Sequence, residues 1–171
     1  MSVEVGRSEG AQVQASLSDR MIDQVLYWDD VQVGDRCTSG GRTVTEADVV
    51  NFAGLSGDFH ALHTDETFAA ASPAGRRIAH GMLVVSMSAG LVAKLPLMRG
   101  LERTTLGLKE LSCRFLRPTM IGDTVSVDLE VADKRDGSKP DRGVVVMRRS
   151  IRNQQGIVVI EGSWVLVVRR R

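Results

Sequence analysis

The chain has few cysteines, few histidines and almost no net charge. Its 171 residues include two cysteines and three histidines, and 22 basic against 21 acidic side chains leave a formal charge of +1. Without a basic excess there is no field to draw the chain to nucleic acid or to an anionic membrane surface. Cys37 and Cys113 stand far apart with no CxxC spacing, which argues against a disulfide framework and for a reducing compartment. Neither lies near the histidines, so a cysteine nucleophile is not expected. The N-terminus shows no cleavable signal pattern, and the one long apolar stretch, Met82 to Met98, is short and carries Lys94 and Pro96. No membrane span is expected from it, and the cytoplasm is the expected location.

What is present reads as one domain. Residues 1 to 26 are polar with spaced apolar positions, the pattern of a loose tail or a short amphipathic helix outside the core. Residues 27 to 171 form the domain. An extended stretch bent at Gly40-Gly41 leads to Thr45-Glu46-Ala47-Asp48, which has the spacing of a capping box. The helix it opens should end before Asp58, because Gly54 and Gly57 weaken it. A second short helix starts near Thr64-Asp65-Glu66 and stops at Pro73. Met82 to Met98 reads as a helix buried nearly all round, with small residues that permit close approach to a sheet. From Thr104 onward the chain reads as strands. Val125, Val127, Leu129 and Val131 alternate with Ser126, Asp128 and Glu130, the period of a sheet with one wet face. Short connections between these strands predict an antiparallel meander, and the whole is α+β. The terminal Arg169-Arg170-Arg171 reads as a solvated tail.

All three histidines, His60, His63 and His80, fall in one glycine-flanked window opened by Asp58. Histidine titrates closest to neutral pH and is the usual proton-transfer residue. The run GDFHALH, residues 57 to 63, resembles the Gly-Asp-x-Asn-Pro-x-His motif of MaoC-like, (R)-specific enoyl-CoA hydratases. Gly57, Asp58 and His63 match in identity and spacing, and the HGML run from His80 to Leu83 is similar to the start of the family's central helix. RFLRPTMIGDTV, residues 114 to 125, resembles its strand-turn-strand. His60 replaces the motif's asparagine and Ala61 its proline; Ala89 stands where some members carry a supporting serine, with Ser86 and Ser88 nearby.

The resemblance implies a hotdog fold, an antiparallel sheet wrapped around one long helix, here about His80 to Leu97. It also implies a homodimer. It makes Asp58 and His63 the catalytic pair and the Gly81 amide the oxyanion donor, with His60, His80 and Ser86 as supporting candidates. The implied reaction is reversible hydration of a trans-2-enoyl thioester, on coenzyme A or acyl-carrier protein, to the (R)-3-hydroxyacyl thioester, with no metal and no redox cofactor. Those residue types suit that chemistry. A carboxylate and an imidazole can hold one water for acid–base transfer, and a free N–H in a helix's first turn sits at the positive end of its dipole. Taken singly, His80 reads as a residue that fixes the loop, His60 as the source of a loop-ordering hydrogen bond, and Gly81 as a close-packing glycine. Three rival readings share these residues. One is a hotdog acyl-CoA thioesterase and one a non-catalytic acyl-CoA-binding module. The third is a metal site built from His60, His63, Asp58, Asp65 and His80, which lacks a His-Glu-x-x-His helix and a cysteine pair. Arg76, Arg77, Arg114, Arg117 and Arg142 are the candidates for the coenzyme's phosphates.

Overall fold

The computed structural model describes residues 24–171. The expected N-terminal tail or helix therefore lies outside the described residues, except for its last three. These already belong to the fold. Leu26 is buried, its N–H donates to the Gly100 carbonyl (2.8 Å) and its carbonyl accepts from the Thr104 hydroxyl.

Two short strands come first, β1 (Arg36–Thr38) and β2 (Arg42–Thr43), on either side of the Gly40-Gly41 bend. Helix α1 (Glu46–Ser56) opens with the expected reciprocal cap. The Thr45 hydroxyl accepts from the Asp48 N–H (3.2 Å), and the Asp48 carboxylate accepts from the Thr45 N–H (2.9 Å). It ends at Gly57 with φ 75°, a left-handed conformation that glycine adopts without strain. A one-turn helix α2 (Ala61–Thr64) and then α3 (Glu66–Ala70) follow, the latter capped by Asp65.

The long helix departs from expectation. Two helices form in place of one, α4 (Gly81–Ala93) and α5 (Pro96–Leu101). Pro96 has no N–H to donate back into α4, and its ring drives Leu95 out of the helical region, to ψ 142°. At the first position of α5 the same missing N–H has no cost. Nor is α4 buried all round: Leu83, Val84, Met87, Ser88, Leu91 and Val92 are buried, while Met82, Ser86, Gly90 and Ala93 form an exposed stripe.

Strands β3 (Thr105–Phe115), β4 (Thr124–Asp136), β5 (Arg142–Arg152) and β6 (Val158–Arg169) complete an antiparallel sheet. Its order is β1-β4-β5-β6-β3, with β2 also on β4. The expected meander therefore holds only for β4, β5 and β6. Residues 116 to 123 do not make a hairpin turn but carry the chain across the sheet, so that β3 lies at the edge beyond β6. Their backbone is tied to the segment before α4, through the Ala79 N–H to the Thr119 carbonyl (2.8 Å). The predicted alternation on β4 is present: Val125, Val127, Leu129 and Val131 are all at most 1% exposed and meet the buried side of α4. A sheet laid over one principal helix is the hotdog arrangement.

Of the terminal arginines, Arg169 and Arg171 are exposed as expected, but Arg170 is half-buried. The Arg170 guanidinium lies 3.8 Å and the Lys134 ammonium 4.0 Å from the Trp28 ring centroid. Arg170 pairs with Asp136 (2.6 Å), Arg171 pairs with Asp30 (2.9 Å), and the Arg171 N–H donates to Asp29 (3.0 Å). The indole itself donates to the Val144 carbonyl (3.1 Å) and rests on Gly143, where a Cβ would collide with it. Cation–π contact and ion pairing offset the cost of partly desolvating these charges.

Candidate active site

The histidine window folds into one corner, between the end of α1 and the start of α4. The Gly57 turn presents Asp58 at the surface, with its N–H on the Ser56 hydroxyl (3.2 Å) and its Oδ1 accepting from the His60 N–H (3.3 Å). His60 then caps α2: its Nδ1 accepts from the Leu62 N–H (3.2 Å), and its ring meets His63 and Phe68 edge-on. That cap is the loop-ordering bond expected of it, and it explains the unforeseen one-turn helix.

His63 sits on α2, half-buried. Its Nδ1 faces the Ile78 carbonyl at 2.8 Å. A carbonyl only accepts, so Nδ1 carries the proton and Nε2 of the neutral ring keeps its lone pair. Burial pushes the His63 pKa below the ordinary 6.5, against the opposing pull of the Ile78 carbonyl; His80 lowers it further and Asp58 raises it.

His80 is 2% exposed, and its Nε2 donates to the backbone carbonyl of Asp58 (2.9 Å). Its ring stacks on His63 with centroids 3.9 Å apart and touches Phe52 from the other side (5.1 Å). One residue thus braces both members of the pair, the Asp58 loop through a hydrogen bond and the His63 ring through contact. Donor atoms of Asp58, His63 and His80 all lie within 4.8 Å of one another. That set could hold a divalent cation through one carboxylate and two imidazoles.

Gly81 is the first residue of α4, where helix geometry leaves the N–H without an internal acceptor. A Cβ here would fall 2.5 Å from the Phe115 ring, so glycine is what lets β3 close on the helix start. His63, Gly81, Phe115, Arg117, Thr119 and Ile160 line a groove of about 330 Å³. A larger groove of about 430 Å³ lies on the outer face of the sheet around Ser112, Arg114, Arg148 and Glu161, away from the histidines.

Not every candidate arrives. Ser86 is exposed and donates to the Met82 carbonyl (2.8 Å), and Ser88 is buried against the sheet; neither lines the groove. Among the arginines, Arg77 is held by Glu46 and Glu66 (both 2.8 Å), Arg114 by Glu161 and Arg142 by Asp141, and Arg76 donates to the Ile121 carbonyl. Arg117 forms no ion pair among the described residues and lies on the groove. Phe115 and Ile160 carry no sequence signal as lining residues, because strand pairing brings them together from far along the chain.

A family model described as MaoC like domain matches residues 32–151. The chain is 34% identical over 145 residues, 85% of its length and 93% of the relative's, to the (R)-specific enoyl-CoA hydratase of Rhodospirillum rubrum. It is 39% identical over 120 residues to Protein MaoC of Klebsiella aerogenes, but those residues span only 34% of that longer protein. Among solved structures, the MaoC-like dehydratase from Rhodospirillum rubrum superposes with a TM-score of 0.74 at 30% identity, covering 85% of this chain and 98% of that one.

Proposed function

The chain belongs to the MaoC-like domain family, and from that premise we propose that it hydrates trans-2-enoyl thioesters reversibly to (R)-3-hydroxyacyl thioesters. The observation that carries this reading is the Asp58–His63 pair beside the free N–H of Gly81. Asp58 and Nε2 of His63 both accept from one water. As its oxygen bonds to C3, the π electrons move toward the thioester oxygen, which the Gly81 N–H receives; the pair takes a proton from the water and returns one to C2. Positioned acid–base transfer contributes about 10²–10⁴ in rate. An oxyanion donor adds a comparable factor.

A panel of enoyl- and saturated acyl-CoAs tests this reading. Hydration predicts loss of enoyl absorbance without free thiol and no reaction of saturated thioesters, whereas thiol release from both marks a thioesterase.

The sign of the pH dependence follows from His63. Its Nε2 must be unprotonated to accept from water and burial depresses its pKa, so kcat/KM in the hydration direction should stay flat through neutrality and fall only below 6.5. The unfolded chain binds more protons than the folded one between the depressed value and 6.5, so stability also falls as pH drops through that window. An acid limb centred above 6.5 contradicts the assignment.

Arg117 is the residue we assign to the coenzyme's phosphates. Arg117→Ala should raise KM for a CoA thioester about three- to tenfold with kcat nearly unchanged, since an exposed charge pair contributes on the order of 1 kcal/mol. Initial-rate kinetics at low and high salt check this, and the difference should shrink with salt.

We assign homodimer formation to the outer edge of β3. Among the described residues that edge is unpaired, and Leu106, Leu108, Leu111 and Phe115 are each more than 40% exposed. Phe115 also lines the groove, so the junction would border the site.

A further inference from the structure

Beside the site stands a charged cluster that the hydration chemistry does not use. Arg77, on the segment between α3 and α4, grips Glu46 with both Nη atoms (2.8 Å each) and Glu66 with Nε (2.8 Å). Glu46 is the first residue of α1 and Glu66 the first of α3, so one guanidinium ties together the starts of the helices before and after α2. Its Nη1 also lies 3.5 Å from the carbonyl of His63, in the last turn of α2, where helix geometry leaves carbonyls without an internal donor. The Arg77 side chain is 22% exposed, but both glutamates are more than half exposed. Pairs so open to water contribute little to stability, whereas a bidentate fork fixes an angle as well as a distance. The cluster is therefore suited to holding a geometry.

That geometry reaches His63 in one step. The next residue after Arg77 is Ile78, whose carbonyl accepts from the His63 Nδ1–H (2.8 Å) and whose N–H donates to the Leu62 carbonyl (3.1 Å). Ile78 also bridges Met120, and the Ala79 N–H donates to Thr119, so this segment is fixed to one wall of the groove. The fork then sets its place against α1 and α3. A neutral imidazole that loses its acceptor at Nδ1 divides between two tautomers, and the Nε2–H form has no lone pair there to offer a water. An outer hydrogen bond of this kind fixes both the tautomer and the orientation of a functional ring. Stacking on His80 restrains the plane of the His63 ring but does not choose between its nitrogens.

We propose that Arg77 is a positioning residue for His63: its fork on Glu46 and Glu66 sets the Ile78 carbonyl against Nδ1 and so keeps the Nε2 lone pair free for the reaction. Arg77 does not line the groove; it acts through one peptide group and one imidazole. Lysine in its place keeps the charge but is a point donor, which cannot grip two carboxylates at fixed angles. The Ile78 carbonyl would then drift, and a displacement of about 1 Å at a catalytic group costs up to about 10²-fold in rate. What the Nε2 lone pair does rests on the hydratase reading; how the ring is held does not.

The test joins NMR of the imidazole nitrogens to steady-state kinetics, both at neutral pH, where burial keeps His63 uncharged. The chain has three histidines, so the signals are few, and the His63→Ala variant assigns the ring at issue. The wild type should show His63 in the Nδ1–H form. Arg77→Lys should populate both tautomers and lower kcat for crotonyl-CoA hydration about ten- to a hundredfold, with KM within about twofold of wild type. Glu46→Gln takes one carboxylate from the fork, should move both readouts the same way, and preserves the test if Arg77→Lys does not fold. A merely structural role would lower the melting temperature and leave tautomer and kcat alone. An unchanged tautomer, or kcat within about threefold of wild type in both variants, overturns the proposal, as does a wild-type His63 protonated at Nε2. A change of tautomer in the variants, with no hydration of any enoyl thioester by the wild type, would instead retain the positioning role and overturn the hydratase reading.

Discussion

Asp58→Asn and His63→Ala are each expected to lower kcat for crotonyl-CoA hydration by about 10²–10⁴, the range of a positioned acid–base group, equivalent to about 3–5 kcal/mol of barrier. Asn at 58 keeps an oxygen for the His60 N–H, so the turn should survive while the proton acceptor is lost. His63→Ala removes the ring that stacks on His80 as well as the base, so its circular dichroism and melting temperature should be compared with those of the wild type. Because both groups act on one water, the double variant should be little worse than the more damaged single one. Rates within threefold of wild type for both single variants would remove the pair from the mechanism.

The largest effect on stability is expected at Trp28→Ala. The indole is held between Arg170 and Lys134, donates to Val144 and fills the space above Gly143. Truncating a fully buried tryptophan costs about 3–5 kcal/mol, and for the half-buried Trp28 about 2–3 kcal/mol is expected. For a domain of this size that lowers the melting temperature by roughly 4–12 °C. The site lies elsewhere, so activity measured well below the transition should be retained. A fall of under 2 °C would mean that the clamp is a surface arrangement with little energy in it.

The parts of the fold readable from sequence are those settled by near neighbours. The Thr45–Asp48 cap, the Gly57 stop and the β4 alternation each depend on residues within a few positions, and each stands as expected. The break at Pro96 was also written in the sequence, but the apolar content on both sides masked it. The edge position of β3 was not legible, because it depends on pairing with β6 some fifty residues on. The site divides in the same way. Asp58, His63 and Gly81 were legible as a motif. The bracing by His80 was legible only as a loop-fixing role, since its partner is a backbone carbonyl 22 residues away. The terminal arginines divide: charge argues for solvent, where Arg169 and Arg171 stay, but Trp28, 142 residues away, takes in Arg170.

The measurement that bears most directly on the account is the fate of crotonyl-CoA with the chelator-treated wild-type protein, followed by absorbance and by chiral resolution of the product. The account predicts an approach to equilibrium without free thiol, yielding (R)-3-hydroxybutyryl-CoA alone. No absorbance loss, activity that disappears with the chelator, or stoichiometric release of coenzyme A would contradict it.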